Sequence, residues 1–229
     1  MKGFFKSSIG KKLVMSVSGL FLILFLLFHM CMNVFAVIGD GSMYDAICGF
    51  LGANWYAVAG TGVLALGVIV HIIMATKLTI ENRKARGNDR YDNQNLPAGV
   101  EWSSKNMFVL GAVVILGLAL HFVHFWSKMM YAELAGAEEV VLCNGATVTP
   151  TSGAAIVKYT FSQWYNLVIY LLWFAALWFH LNHGFWSAFH TLGASNSKWI
   201  PRLKCLSTWV TSIIIAVFAA VAIIAFIQA

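Results

Sequence analysis

Residues 13–38, LVMSVSGLFLILFLLFHMCMNVFAVI, run for 26 positions without a formal charge. At 1.5 Å of rise per residue, a helix of this length covers the roughly 30 Å of hydrocarbon in a bilayer. The same pattern returns at residues 54–76, 106–127 and 205–227. A longer charge-free run, 159–197, exceeds one simple crossing, so the fourth span is set near 161–185 with an interfacial tail. The reading is an all-α integral membrane protein, a five-helix bundle forming one domain over residues 1–229. Composition agrees: 60% of the chain is hydrophobic and 10% charged, against roughly 25% charged in a soluble domain. The basic N-terminus leads into an apolar stretch with no A-x-A-like cleavage site, so the first span is read as retained rather than removed as a signal peptide.

An odd number of spans puts the termini on opposite sides of the membrane, and the cations decide which side is which. With the N-terminus inside, Lys2, Lys6, Lys11, Lys12, Lys77, Arg83, Lys84, Arg86, Arg90, Lys105, Lys198, Arg202 and Lys204 are all inside. These are thirteen of the fifteen Lys and Arg; Lys128 and Lys158 remain outside. The expected location is the inner, cytoplasmic membrane, with the N-terminus in the cytoplasm and the C-terminus outside. The net charge of +6 is then a topology signal, and no nucleic-acid binding is expected. Residues 81–101 form the longest polar segment. Their mixed charge and Gly87, Asn88 and Pro97 predict a cytoplasmic loop able to meet a soluble partner.

All seven histidines lie in or beside the spans: His29, His71, His121, His124, His180, His183 and His190. A polar, ionisable group at membrane depth is costly, and four helices each carrying one points to function. Depth sorts them. His29 lies 17 residues beyond Lys12 and His121 lies 16 beyond Lys105, which gives both an outer level. His71 comes six residues before Lys77, and His180 lies near the inner end of its helix, so these two share an inner level. A haem held by two histidines needs both at one height on facing helices. The levels differ by roughly 11 residues, or about 16 Å, which suits two b-type haems passing electrons across the membrane. His124 and His183 each follow one of these residues by three positions on the same helix face, so either is an alternative ligand or a hydrogen-bond partner of haem or quinone. His190 reads as interfacial.

Cys31, Cys48, Cys143 and Cys205 make no C-x-x-C spacing, which argues against covalent haem attachment. Cys48 and Cys143 both fall in outer segments, where a disulfide between them is an open alternative. Trp55, Tyr56, Trp126, Tyr131, Trp164 and Tyr165 cluster near the outer boundary as an aromatic belt would.

Motifs on three helices, in order along the chain, carry a family resemblance. Ser7-Ser8-Ile9-Gly10-Lys11-Lys12, continuing through Ser18-Gly19-Leu20 to Phe28-His29, resembles the first helix of the cytochrome b subunit of succinate dehydrogenase and fumarate reductase, of the single-chain, five-helix, dihaem type. His121-Phe122-Val123-His124-Phe125-Trp126 is similar to that family's H-x-x-x-F-W pattern in the third helix. Phe179-His180-Leu181-Asn182-His183-Gly184-Phe185-Trp186 is similar to its F-H-x-x-x-G-x-W pattern in the fourth. The resemblance implies two haem b groups, the distal one on His29 and His121 and the proximal one on His71 and His180. It also implies a quinone substrate, with menaquinone preferred, and flavoprotein and iron-sulfur partner subunits that perform the dicarboxylate chemistry; a dimer of the complex is left open. Two departures matter. Trp178 stands where some members carry a glutamate two residues before the fourth-helix histidine, and residues 50–53 offer no glutamate leading into the second helix.

The stacked haems call for a quinone pocket at the outer end. Its candidates are Asn33, Tyr44, Asn54, Trp126, Lys128 and Gln163, with Asp40 and Asp45 for proton exchange. Two other readings compete. One is the cytochrome b of a hydrogenase or formate dehydrogenase; the other is a proton-coupled transporter whose histidines bind no haem.

Overall fold

The computed structural model describes residues 7–86, 101–142 and 144–229. Five helices are long and apolar enough to cross a membrane: Ser8–Ala36, Trp55–Ala85, Trp102–Trp126, Trp164–Thr191 and Trp199–Ile227. In chain order the elements are α1 (Ser8–Asn33), a 3-10 turn (Val34–Ala36), α2 (Ser42–Leu51), α3 (Trp55–Arg86) and α4 (Trp102–His121). A π turn (Phe122–Trp126), α5 (Met130–Leu134), a two-residue hairpin of β1 (Val140–Val141) and β2 (Thr147–Val148), α6 (Gly153–Ser162), α7 (Trp164–Thr191) and α8 (Trp199–Ile227) complete it. Within the spans, large apolar side chains point outward: Leu24, Leu66, Leu116 and Trp209 are each more than 60% exposed. In water such a surface would aggregate; in lipid it is the solvated face.

The helices run farther than hydropathy predicts, and for local reasons. α3 continues past Lys77 to Arg86, so residues 81–86 of the expected loop are helical; residues 87–100, and with them Arg90, lie outside the described residues. No Gly or Pro interrupts before Gly87, and Lys11 Nζ donates to Glu81 Oε1 at 2.6 Å, tying the extension to α1. The fourth span begins three residues after residue 161, because Gln163 takes an extended conformation and breaks α6 from α7. Asn166 closes that corner by donating to the Thr160 carbonyl at 2.9 Å. α8 starts at Trp199, six residues before the apolar run. Asn196 accepts from the Lys198 and Trp199 amides, and Pro201 falls in the first turn, where its missing N–H costs nothing.

α7 is the hub, packed on α8, α4 and α1, while α3 touches the bundle mainly along α1. Two ends result. The end formed by the start of α1, the end of α3 and the starts of α4 and α8 is basic and laced by ion pairs: Lys11 with Glu81, and Lys204 with Glu101 at 2.7 Å. The opposite end is capped. There α2 and α6 lie over the bundle and build its main core from Ala36, Tyr44, Ala154, Val157, Phe161, Tyr170, Phe174, Ala222 and Ala225. The alanines let the elements approach closely, as small residues do between membrane helices. Gly153 completes the fit, since a Cβ there would run into Tyr44, Cys48 and Met129. Cys48 carries a free thiol; Cys143, its expected partner, lies outside the described residues.

Candidate functional site

Histidines from four different helices meet as two pairs. Toward the capped end, His29 of α1 and His121 of α4 have ring centroids 5.9 Å apart and planes at 88°. Toward the basic end, His71 of α3 and His180 of α7 have centroids 6.3 Å apart and planes at 71°. These are the two levels expected from counting residues against the flanking lysines.

The pair at the capped end is walled by aromatic groups. His29 stacks on Phe25 at 5.4 Å and packs against Phe218; His121 lies beside Phe125 and Trp173. Space beside His71 depends on Gly19, whose hypothetical Cβ would sit 3.3 Å from the ring. The Ser18 hydroxyl donates its single proton to the Met15 carbonyl at 3.0 Å, so its oxygen is left to accept from His71 Nδ1 at 3.2 Å. That places the ring proton on Nδ1 and leaves Nε2 with a free lone pair. At His180, Nδ1 is buried with no hydrogen-bond partner, a costly arrangement unless the ring has another task.

The two neighbouring histidines face elsewhere. Directly after His121 the helix widens into the π turn, with the Ser127 amide bonding the Phe122 carbonyl at 2.8 Å. His124, inside that turn, points its Nδ1 at the Tyr170 hydroxyl at 3.2 Å, with the rings stacked at 22°. Single π turns inside α-helices recur at functional sites. His183 lies 3.6 Å from Glu101, an ion-pair distance, and edge-on to Trp186. Burial at the N-cap of α4 is the largest influence on Glu101 and works against its charge, but the bonds and charges of Lys204 and His183 together outweigh it and hold this carboxyl below its ordinary range. His190 is exposed in the last turn of α7.

The outer candidates enter several separate contacts. Asn33, Tyr44 and Asp45 belong to one network: Tyr44 donates to Asn33 Oδ1 at 3.1 Å, and Asp45 accepts from the Ala154 amide at 2.8 Å, joining α2 to α6. Asp40 caps α2 by accepting from the Ser42 amide and hydroxyl, which hold its carboxyl below the usual value. Asn54 donates to the Gly49 and Phe50 carbonyls. Gln163 forms the α6–α7 corner, Trp126 packs on Phe122 and Tyr131, and Lys128 lies 5.7 Å over the Tyr159 ring. Residue spacing hid three partners now in view: Ser18, the π turn and Tyr170. Tyr170 left a sequence signal, a hydroxyl on an otherwise apolar stretch of α7, and Ser18 stood within the first-helix motif.

Among the described residues no three His, Cys, Asp or Glu side chains gather as a bare-ion site. No protein-family model, curated protein or solved structure matches the chain.

Proposed function

We propose that the chain is a dihaem cytochrome b, the membrane anchor of a succinate:quinone or quinol:fumarate oxidoreductase. The observation that carries this reading is the pair of imidazole pairs, 5.9 and 6.3 Å between ring centroids on four helices. A metal–imidazole bond of about 2 Å on each side of a shared iron sets ring centres roughly 6 Å apart. Two facing histidines are too few for a bare ion but would suffice to hold a haem, which brings its own further iron ligands. The bare Nε2 of His71 and the aromatic walls of the other pair fit such a group. Haem b supplies a one-electron iron couple at each level when bound.

This chain's residues do the rest. His29 with His121, and His71 with His180, hold the two irons. Ser18 fixes the His71 tautomer. Phe25, Phe218, Phe125 and Trp173 exclude water and keep the local dielectric low, which tunes the potential. The basic end is the cytoplasmic face by the positive-inside rule, and it receives the iron-sulfur subunit. The quinone, menaquinone by resemblance, reacts at the capped end, so that two stacked haems connect chemistries on opposite faces. Asp40 and Asp45 are the carboxylates between the first two spans that stand nearest for proton exchange with it.

The test is the reduced-minus-oxidised visible spectrum of the purified protein, with identification of the subunits that co-purify. The expected result is a b-type spectrum and two soluble partners, one flavin-bearing and one iron-sulfur. A colourless protein would reject the haem reading, and hydrogenase or formate dehydrogenase partners would reject the assignment of the complex. Quinol-analogue turnover in Asp40→Asn and Asp45→Asn variants that keep both haems falls if these acids exchange protons. Wild-type turnover in both removes them from the mechanism.

A further inference from the structure

The capped end reaches the outer histidine pair through one polar chain. Asn33 sits one turn beyond His29 on α1. Its amide nitrogen donates to the His29 carbonyl at 2.8 Å and lies 3.3 Å from both ring nitrogens, so an N–H faces the imidazole between them. The amide oxygen is held in turn by the Tyr44 hydroxyl at 3.1 Å. Tyr44 is 7% exposed and packed in the cap core. The helix that carries it is pinned to α6 by Asp45 on the Ala154 amide. Every polar atom of Asn33 is thereby committed, and its rotamer is fixed from α2 rather than from α1 alone.

We propose that Asn33 and Tyr44 are positioning residues for His29, coupling its imidazole to the α2–α6 cap and setting the potential of the outer haem. This rests on the haem reading given above. It assigns both residues to the ligand's surroundings rather than to the quinone. The physical basis is that groups around a ligating histidine orient its ring and tune its donor strength. An amide N–H turned toward the ring withdraws electron density; its removal makes the imidazole a better donor and favours the ferric state. The chain touches one pair only. His71 and His180 lie at the other level, with Ser18 as the partner of His71.

The test uses the purified full-length protein in its complex, with haem content, potentiometric titration and low-spin EPR, for Asn33→Leu, Tyr44→Phe and a control. The control is Tyr56→Phe, since Tyr56, in the first turn of α3, donates to the Phe50 carbonyl at 2.6 Å and has its ring against Phe50 and Trp55. The outer haem is identified as the one lost in His29→Ala. In Asn33→Leu its midpoint falls and its EPR signal moves; in Tyr44→Phe the shift has the same direction and is smaller. The inner haem and the Tyr56→Phe protein keep wild-type values. Unchanged midpoints and signals in both variants overturn the proposal, as does an equal shift of both haems, which general loosening of the bundle would give. If Asn33→Leu fails to retain the outer haem, Tyr44→Phe decides by the same criteria. A wild-type protein without haem would fail at the earlier reading, which is a different result from wild-type haems indifferent to Asn33 and Tyr44.

Discussion

Replacing His124 by alanine separates the two readings of the third span at the level of single atoms. The imidazole of His124 is bonded to Tyr170 and stands inside the π turn, whereas His121 faces His29. The expected outcome for His124→Ala is retention of both haems, with a stability loss of about 1–3 kcal/mol from the unpaired, buried Tyr170 hydroxyl. Haem quantification and thermal unfolding in detergent measure the two effects; loss of one haem would transfer the ligand role to His124. The sequence already held much of this level. Counting from the flanking lysines separated outer from inner histidines, because a straight helix converts residue number into depth. It could not choose between His121 and His124, which share a helix face at ideal geometry. The choice depends on the π turn, a local widening that residues 122–126 do not announce. Ser18 was visible only as part of a motif. Its bond to His71 needs the lateral register of α1 against α3, which one-dimensional spacing does not contain.

Among the elements, the cap is the part that hydropathy passed over. α6 is only ten residues long and all but its last two residues fall before the predicted fourth span, yet it buries Ile156, Val157 and Phe161 against the bundle. What makes it a separate element is the corner at Gln163 and Asn166, a matter of side-chain hydrogen bonds that hydropathy does not record. The same holds for the ends of α3 and α8, where ion pairs and capping extend helices beyond their apolar runs. Close packing in the cap gives a prediction of its own. Ala222 and Ala225 of α8 have no exposed surface and lie in the core that also contains Ala36 and Ala154. Ala222→Leu forces added bulk into that contact and is expected to cost about 1–3 kcal/mol, read as a lower unfolding temperature. Ile213→Leu, on the exposed face of α8, is expected to change it little. Equal behaviour of the two variants would mean that the cap is not closely packed.

The whole molecule is polarised, with a basic end and a capped end. Thirteen of the fifteen cations belong to the segments assigned to the basic end, and of these the described residues place Lys11, Lys204 and Arg202 in specific contacts with Glu81, Glu101 and Trp199. Arg83 lies 5.4 Å over the Phe108 ring, and it, Lys84 and Lys198 remain exposed there. Charge reversal at Arg83, Lys84 and Lys198 is expected to loosen the iron-sulfur partner, most clearly when salt is low and exposed charges are least screened. Co-purification that is unchanged across ionic strength would remove this face as the docking surface. The five-helix architecture was readable because lipid imposes long uncharged runs. The proposed electron path asks for more than architecture, because it depends on which imidazoles meet.

That meeting is tested most directly by haem content and redox titration in four single variants, His29→Ala, His121→Ala, His71→Ala and His180→Ala. The account predicts two haems per wild-type chain. It predicts that the first two variants lose the same haem and the last two lose the other, each leaving its companion near the wild-type potential. A wild-type chain with one haem or none, or variants of His29 and His121 that lose different haems, would contradict it.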